Sequence, residues 1–479
     1  MDLLSDSRIM LDVLSHGDLE VRASLDVSYR GLSRKARTLF RRIGLLGSPQ
    51  IAHWLGEALL GDDAAQGAFD ELVDASLLVR RGQKYVMHDL VRAYAGESDT
   101  HSDSDSDEQH RAAIERACRR FLSLADRAHQ RYYGGHFTLL RGKDMGEARD
   151  DGLADALIGD DPLGWLDEER TTFLVTVRQA AVHDLDELCW NIAMTAITLF
   201  EIRAYYDEWR TVAEIALKSC RSSANTRGEA AMLYSLSTLA VFQQRYTEAQ
   251  PLLVQAIDIF EKIDEVHGMA LALRNLALSE RVKGEVDVAL DRYRQALPLL
   301  EAVGDRAAEG HVLVSIAAIH LEEGRLGEAE PPLDRALEIF RHEGVQRGEA
   351  QALNRIAELS LLRGDARRAL EAFEGALAIV RSVHDRIGET YVLHGTGEAQ
   401  AALGQVEQSE RALSRALEMA QELGERHIEG RTRLSLGLLL SRQGNPGGVT
   451  HLEKAHAMFS DMGAERWRAK AEEALARSR

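Results

Sequence analysis

A repeat of 40 residues in the C-terminal half of this 479-residue chain constrains its fold more than any other feature. Small residues return at the same places in unit after unit. One series is Gly228, Gly268, Ala308, Gly348 and Gly388, with Ile428 next, and another is Gly284, Gly324, Gly364, Gly404 and Gly444. Two alanine series, from Ala249 and from Ala256, keep the same register. Agreement at four positions indicates an internal structural repeat.

Apolar residues inside each unit follow helical spacing. Leu233, Leu273, Leu313, Leu353 and Leu393 share one position, and a second apolar series lies three residues on. Residues three and four apart form one helix face. The glycines of the second series fit a left-handed turn that ends the first helix. Each unit is therefore predicted as helix, tight turn, helix.

The repeats over 227–479 resemble the tetratricopeptide repeat family, with units of 40 residues instead of about 34. The last unit drifts at Pro446, Gly447 and Gly448, as expected where a solenoid ends. The predicted fold class is mainly all-α, a tetratricopeptide-repeat superhelix. The helical block at 110–226 is interpreted as degenerate repeats or a bundle that precedes the array.

The N-terminal region 20–96 has a different pattern. It contains a helix capped by Ser33, then a helix with Ser48 as cap and Pro49 as its first residue, and then a third helix. Two short strands around a glycine turn follow, and a last helix begins near Asp89. Three helices and one small β-hairpin predict a winged-helix domain. The acidic, serine-rich segment 97–109 is interpreted as a flexible linker or exposed loop, with a docking strip for a basic surface as the alternative.

The triplet Met87, His88 and Asp89 lies directly after the predicted wing. Together with the repeats that follow, it resembles the winged-helix part of NB-ARC proteins, signal-transduction ATPases of the STAND class. The resemblance is greatest to actinobacterial antibiotic-regulatory transcription factors, in which a DNA-binding head, an ATPase core, a winged helix and repeats follow one another. It implies that His88 donates a hydrogen bond to the terminal phosphate of ADP. The alternative is that His88 caps the helix at Asp89.

The chain contains no GxxxxGK(S/T) motif, the phosphate-binding loop that an ATPase core requires. We therefore expect no enzyme activity, no catalytic residues and no cofactor in this chain alone, and ADP or ATP only in a longer protein. Residues 1–19 are interpreted as the tail of a missing ATPase module. The chain is expected to be the C-terminal part of a longer regulator.

Charge and composition exclude several functions. The net charge of -19 disfavours binding to nucleic acids or anionic membranes. Asp70, Glu71 and Asp74 on the third N-terminal helix would repel DNA phosphates, so direct DNA binding is not expected. No apolar run is long enough to span a membrane, and no export signal or metal-ligand cluster is visible. The three cysteines are expected to be reduced thiols in a cytoplasmic protein.

A partner groove is predicted on the first helix of each repeat, at positions that the apolar core leaves free. The face mixes polar and apolar side chains, which suits a peptide or helix of a protein partner, including the ATPase core of the same protein. The groove residues are Asn275, His311, Gln351, Arg355, Glu358, Tyr391 and Glu398. The alternative is an ordinary solvated face, on which Arg355 and Glu358 pair with each other.

These patterns predict the sensor half of a STAND-type transcriptional regulator, in which the repeats bind a protein or peptide signal and the winged helix relays it to an ATPase core. One alternative is a free-standing tetratricopeptide scaffold for protein–protein interaction. Another is a DNA-binding regulator that acts through the winged helix.

Overall fold

The computed structural model of the protein describes residues 17–62, 65–97, 105–133, 140–142 and 151–478. The predicted ATPase tail at 1–19 and the predicted linker at 97–109 lie mostly outside these residues. The chain divides into two compact units, of which the first ends at Ser279 and the second begins at Glu280. Among the helices that the structure describes, none combines the length and apolar character needed to cross a bilayer.

The winged-helix region contains five helices and three strands in the described residues. They are α1 (Gly17–Arg30), α2 (Arg34–Leu46), β1 (Gln50–Ala52), α3 (His53–Leu60), α4 (Gln66–Asp74), β2 (Val79–Arg81), β3 (Lys84–Val86) and α5 (Asp89–Glu97). Strand β3 is central and pairs antiparallel with both β1 and β2. Ser33 caps α2 as predicted, since its hydroxyl accepts a hydrogen bond from the Ala36 amide at 3.2 Å.

The segment after α2 differs from its prediction. Ser48 and Pro49 do not begin a helix, because the next residues form strand β1, in which Ile51 lies opposite Tyr85. The Ser48 hydroxyl donates to the Gln50 carbonyl at 2.6 Å, so it stabilises a turn and not a helix N-terminus. The small sheet therefore has three strands, one more than the predicted hairpin.

A helical block follows, and the winged-helix region packs against it within the first unit. Its helices are α6 (Asp107–Tyr133), α7 (Asp151–Ile158), α8 (Pro162–Glu168), α9 (Arg170–Val182), α10 (Asp186–Thr195), α11 (Ile197–Ile202) and α12 (Tyr206–Ser222). The Trp54 ring stacks on Phe121 with 5.9 Å between ring centres. The Gln179 side-chain amide donates to the Leu45 and Leu46 carbonyls at 2.9 and 3.0 Å, which satisfies carbonyls at the end of α2.

Six helix pairs and one final helix make up the predicted repeats. They are α13 (Thr226–Phe242), α14 (Tyr246–Lys262), α15 (Val266–Val282), α16 (Val286–Val303), α17 (Arg306–Glu322), α18 (Leu326–Glu343), α19 (Gln346–Leu362), α20 (Ala366–Ser382), α21 (Arg386–Ala402), α22 (Val406–Leu423), α23 (Arg426–Arg442), α24 (Gly447–Asp461) and α25 (Glu465–Ser478). Odd-numbered helices from α13 to α23 are the first helices of their units. Each begins and ends where the 40-residue register predicts.

Left-handed residues end the helices every 20 residues. The predicted glycines that close the first helices, from Gly284 to Gly444, all have φ between 70° and 88°. The same conformation occurs at Asp184, Ala204 and Ala224, where no glycine marks it. The 20-residue turn spacing therefore extends back into the helical block, to the beginning of α10.

Buried side chains near the end of the second helices pack on the start of the next first helix, at a glycine eight positions later in three of the repeats. The Phe340 ring is fully buried, and a Cβ added at Gly348 would lie 2.4 Å from its Cδ1 atom. A larger residue at one position goes with a smaller one at the other throughout the array. The pairs are Phe260 and Gly268, Leu300 and Ala308, Phe340 and Gly348, Val380 and Gly388, and Ala420 and Ile428. Because protein interiors are closely packed, a larger side chain at one of the two positions leaves room only for a smaller one at the other.

Candidate ligand-binding face

The Met87–His88–Asp89 triplet connects β3 to helix α5. Met87 is buried, whereas His88 and Asp89 are exposed. The His88 Nδ1 atom accepts a hydrogen bond from the Leu90 amide at 3.3 Å, and Asp89 pairs with Arg92 at 2.6 Å. The imidazole thus caps α5 in this structure. Its role in sensing a nucleotide, which only the family resemblance implies, stays a prediction.

Two basic residues of α2, Arg41 and Arg42, are buried in the first unit. Arg41 is 4% exposed and donates to the Tyr29 hydroxyl at 3.0 Å. Arg42 pairs with Asp105 at 2.6 Å and donates to the Leu59 carbonyl. These guanidinium groups are therefore occupied by contacts within the first unit.

Of the seven predicted groove residues, Asn275 lies in the first unit and the other six in the second. Asn275 is 7% exposed, and its side-chain amide donates to the Thr238 hydroxyl at 3.0 Å. This hydrogen bond joins α15 to α13, the first helix of the preceding repeat. Asn275 therefore stabilises the stacking of repeats and presents little surface to a partner.

His311 and Gln351 stand 40 residues apart and meet across two first helices. The His311 Nδ1 atom lies 3.1 Å from the Gln351 Oε1 atom. The imidazole ring also packs on Phe340, with 4.9 Å between ring centres. Gln351 is exposed, so this contact forms one edge of the face.

Arg355 and Glu358 pair with each other on α19, and Glu358 also lies near a residue of α23. The guanidinium and the carboxylate are 2.6 Å apart, and a second arginine, Arg431, approaches Glu358 to 3.8 Å. Burial acts to raise the pKa of Glu358, but Arg355 and Arg431 outweigh it and hold that pKa below its usual value. The carboxylate is charged and lies between two cations of different repeats.

Tyr391, His394 and Glu398 share helix α21 beside this cluster. The Tyr391 side chain is partly buried, and burial raises the pKa of its phenol. Glu398 accepts a hydrogen bond from the Ser435 hydroxyl at 2.8 Å and lies 3.7 Å from the His394 Nε2 atom. His394 is 2% exposed, and burial lowers its pKa to about 4, so the ring is neutral near pH 7.

We define the first-helix face as the surface of α17, α19, α21 and α23 that bears the six predicted residues of the second unit together with His394 and Arg431. The prediction missed the last two. Arg431 lies 40 residues after Tyr391, so the same register extended by one repeat identifies it. His394 lies outside the chosen offsets, and no sequence signal marks it.

Comparison with known proteins supports the repeat assignment. A tetratricopeptide repeat family matches residues 268–342 and 348–422. The regulatory protein AfsR of Streptomyces griseus is 26% identical over 339 residues, which cover 68% of this chain and 33% of the relative. AfsR of Streptomyces coelicolor is 28% identical over 368 residues, 66% of this chain and 36% of the relative. The chain thus spans about a third of the length of the AfsR proteins that it matches.

Among solved structures, the chain matches a STAND protein with a tetratricopeptide repeat sensor from Pyrococcus horikoshii. The two are 16% identical, with a TM-score of 0.49, and the match covers 92% of this chain and 66% of that protein.

Proposed function

We propose, from the homology of its tetratricopeptide region to the regulatory protein AfsR, that this chain is the sensor part of a STAND-type transcriptional regulator. In this proposal the first-helix face binds a protein or peptide signal. The winged-helix region then transmits the binding event to an ATPase core. The ATPase core would be part of the same, longer regulator. The core is also the alternative partner of the first-helix face.

One observation carries the proposal. Charged and aromatic side chains of successive first helices come together on the first-helix face and remain partly exposed. The Arg355–Glu358 pair keeps 25% and 21% of its side-chain surfaces accessible, and Gln351 is exposed. The side chains of Glu358 on α19 and Arg431 on α23, two repeats apart, also approach each other to 3.8 Å. A partner segment on this face touches several repeats at once.

The relay part of the proposal depends on contacts inside the first unit. Lys84 of strand β3 pairs with Glu169 at 2.8 Å, and Gln179 holds the end of α2. Trp54 and Phe121 add an aromatic contact between α3 and α6. A packed connection of this kind carries a displacement of the helical block to the winged-helix region.

We also propose that the chain by itself neither binds nor hydrolyses ATP, because its sequence lacks a phosphate-binding loop. ADP or ATP would enter only with the ATPase core of a longer protein, where His88 could contact the nucleotide. Direct DNA binding is not part of the proposal, because Asp70 and Asp74 are exposed on α4.

A transcript-profile experiment tests the proposed function. The native gene is deleted, and the strain is complemented with the wild-type gene or with a variant carrying Arg355→Glu and Tyr391→Ala. We expect the double variant to give the transcript profile of the deletion strain, because the face has lost a cation and an aromatic anchor. Circular dichroism of the purified variant checks its fold.

The matched control is Arg415→Glu. Arg415 forms the same type of ion pair, with Glu418 three residues on, but on the second helix α22. This variant should restore the wild-type profile. A folded double variant that restores it equally well would contradict the assignment of the face. A deletion strain whose transcripts match the wild type would favour the free-standing scaffold.

A further inference from the structure

Trp467 of helix α25 is flanked by two cations next to the first-helix face. The guanidinium carbon of Arg431 lies 4.8 Å from the ring centre, and the Lys470 Nζ atom lies 4.4 Å from it. The His427 ring approaches edge-on at 6.0 Å, and Phe459 stacks on the indole at 5.9 Å. The indole is therefore fixed in place and presents an aromatic surface between positive charges.

The positive charges at this place are poorly matched by carboxylates. The nearest carboxylate to Arg431 is Glu358, at 3.8 Å, and Glu358 already bonds Arg355 at 2.6 Å. In the part of the chain that the structure describes, Lys470 makes no ion pair. Burial lowers the pKa of Lys470, repulsion from Arg466 and Arg431 lowers it further, and Glu398 acts in the opposite direction.

Two buried groups of the same neighbourhood find no hydrogen-bond partner among the residues that the structure describes. The Arg431 Nε–H group is inaccessible to solvent, and no described residue offers it an acceptor. His394 is 2% exposed, and within the described ranges neither of its ring nitrogens has a hydrogen-bond partner. Buried polar groups are nearly always satisfied, so the Arg431 Nε–H group gains a hydrogen bond only if the guanidinium turns towards an acceptor that a ligand supplies.

We propose that this part of the first-helix face binds an acidic peptide segment, whose carboxylate accepts hydrogen bonds from Arg431 and Lys470 while a neighbouring apolar side chain packs on Trp467. The inference rests on the proposed function and specifies its ligand. Glu358 and Glu398 on the same face disfavour a polyanion such as a nucleic acid, whereas a peptide can place one carboxylate among the cations. A basic peptide would meet the unpaired positive charge of Lys470.

The experiment uses the full chain and a phage-displayed library of random dodecapeptides. Wild-type protein should select peptides with Asp or Glu beside a large apolar residue. Synthetic copies of the selected peptides, labelled with fluorescein, should lose affinity by about tenfold or more on Lys470→Glu and on Arg431→Gln. Raising NaCl from about 50 mM to about 500 mM should also weaken binding. Circular dichroism confirms that each variant is folded, and Lys470→Met provides a milder change at an exposed position.

Lys454→Glu is the matched control, since Lys454 is an exposed lysine on the second helix α24. It should leave the dissociation constant within about twofold of the wild-type value. Acidic peptides that bind Lys470→Glu and wild type equally would overturn the inference. Selected peptides without acidic residues, but dependent on Tyr391, would overturn it and leave the proposed function standing. A failure to select any peptide would count against both.

Discussion

The pairing of a large residue on a second helix with a small one on the next first helix leads to a prediction about Phe340 and Gly348. A Cβ at Gly348 would lie 2.4 Å from Phe340 Cδ1 and 2.5 Å from Cε1, closer than carbon atoms can approach. Gly348→Ala should therefore cost about 1–3 kcal/mol through overpacking. The better helix propensity of alanine returns about 1 kcal/mol. Phe340→Leu alone should cost about 1 kcal/mol, because the smaller side chain leaves space.

The double variant should be more stable than the sum of the two changes implies. The preceding repeat of this chain already holds a leucine and an alanine at the equivalent positions, Leu300 and Ala308. The leucine removes the ring that the new methyl group meets, so we expect a favourable coupling energy of about 1–3 kcal/mol. Urea denaturation followed by far-UV circular dichroism gives the free energy of unfolding of each variant.

Gly375→Ala is the control for helix propensity. A Cβ there would meet only Leu353 Cδ1, at an ordinary 3.7 Å, so this variant should be more stable by up to about 1 kcal/mol. If the Phe340 and Gly348 effects add to within about 0.5 kcal/mol, the two residues do not exchange volume and the packing argument fails.

Two further predictions concern buried titratable groups. Cys118, Cys189 and Cys220 are buried and unpaired, and burial raises the pKa of Cys189 to about 12. Ellman's reagent should therefore react with none of the three thiols in the native protein and with all three after unfolding in guanidinium. Fast labelling of the native protein would contradict their burial. Burial lowers the pKa of His394 from 6.5 to about 4. Between these pH values the unfolded chain binds more protons than the folded protein. The stability present above pH 6.5 is therefore lost as the pH falls towards 4. In urea titrations, His394→Gln should reduce the slope of unfolding free energy against pH by up to about 1.4 kcal/mol per pH unit. Substitution of the exposed His342 should leave that slope unchanged. Equal slopes for the two variants would refute the effect.

The features that could be predicted from the sequence are those that depend on local conformation. Helical spacing of apolar residues defined the paired helices, and the glycines from Gly284 to Gly444 marked their turns, since a left-handed backbone costs glycine nothing. The same register placed Tyr391 and Glu358 on the face that the core leaves free. These assignments succeed because each involves residues that are close in the chain.

The features that depend on partners distant in the chain could not be predicted from the sequence. Strand β1 forms because β3, more than thirty residues later, supplies its hydrogen bonds, so the helical pattern after Pro49 misled the prediction. Asp184, Ala204 and Ala224 adopt left-handed turns without glycine because the stacked helices on either side impose them. Arg431 reaches Glu358, and Trp467 reaches Arg431, only through the stacking of successive repeats. The period of a sequence shows which residues share a helix face, but the packing of one helix on the next determines which of them touch.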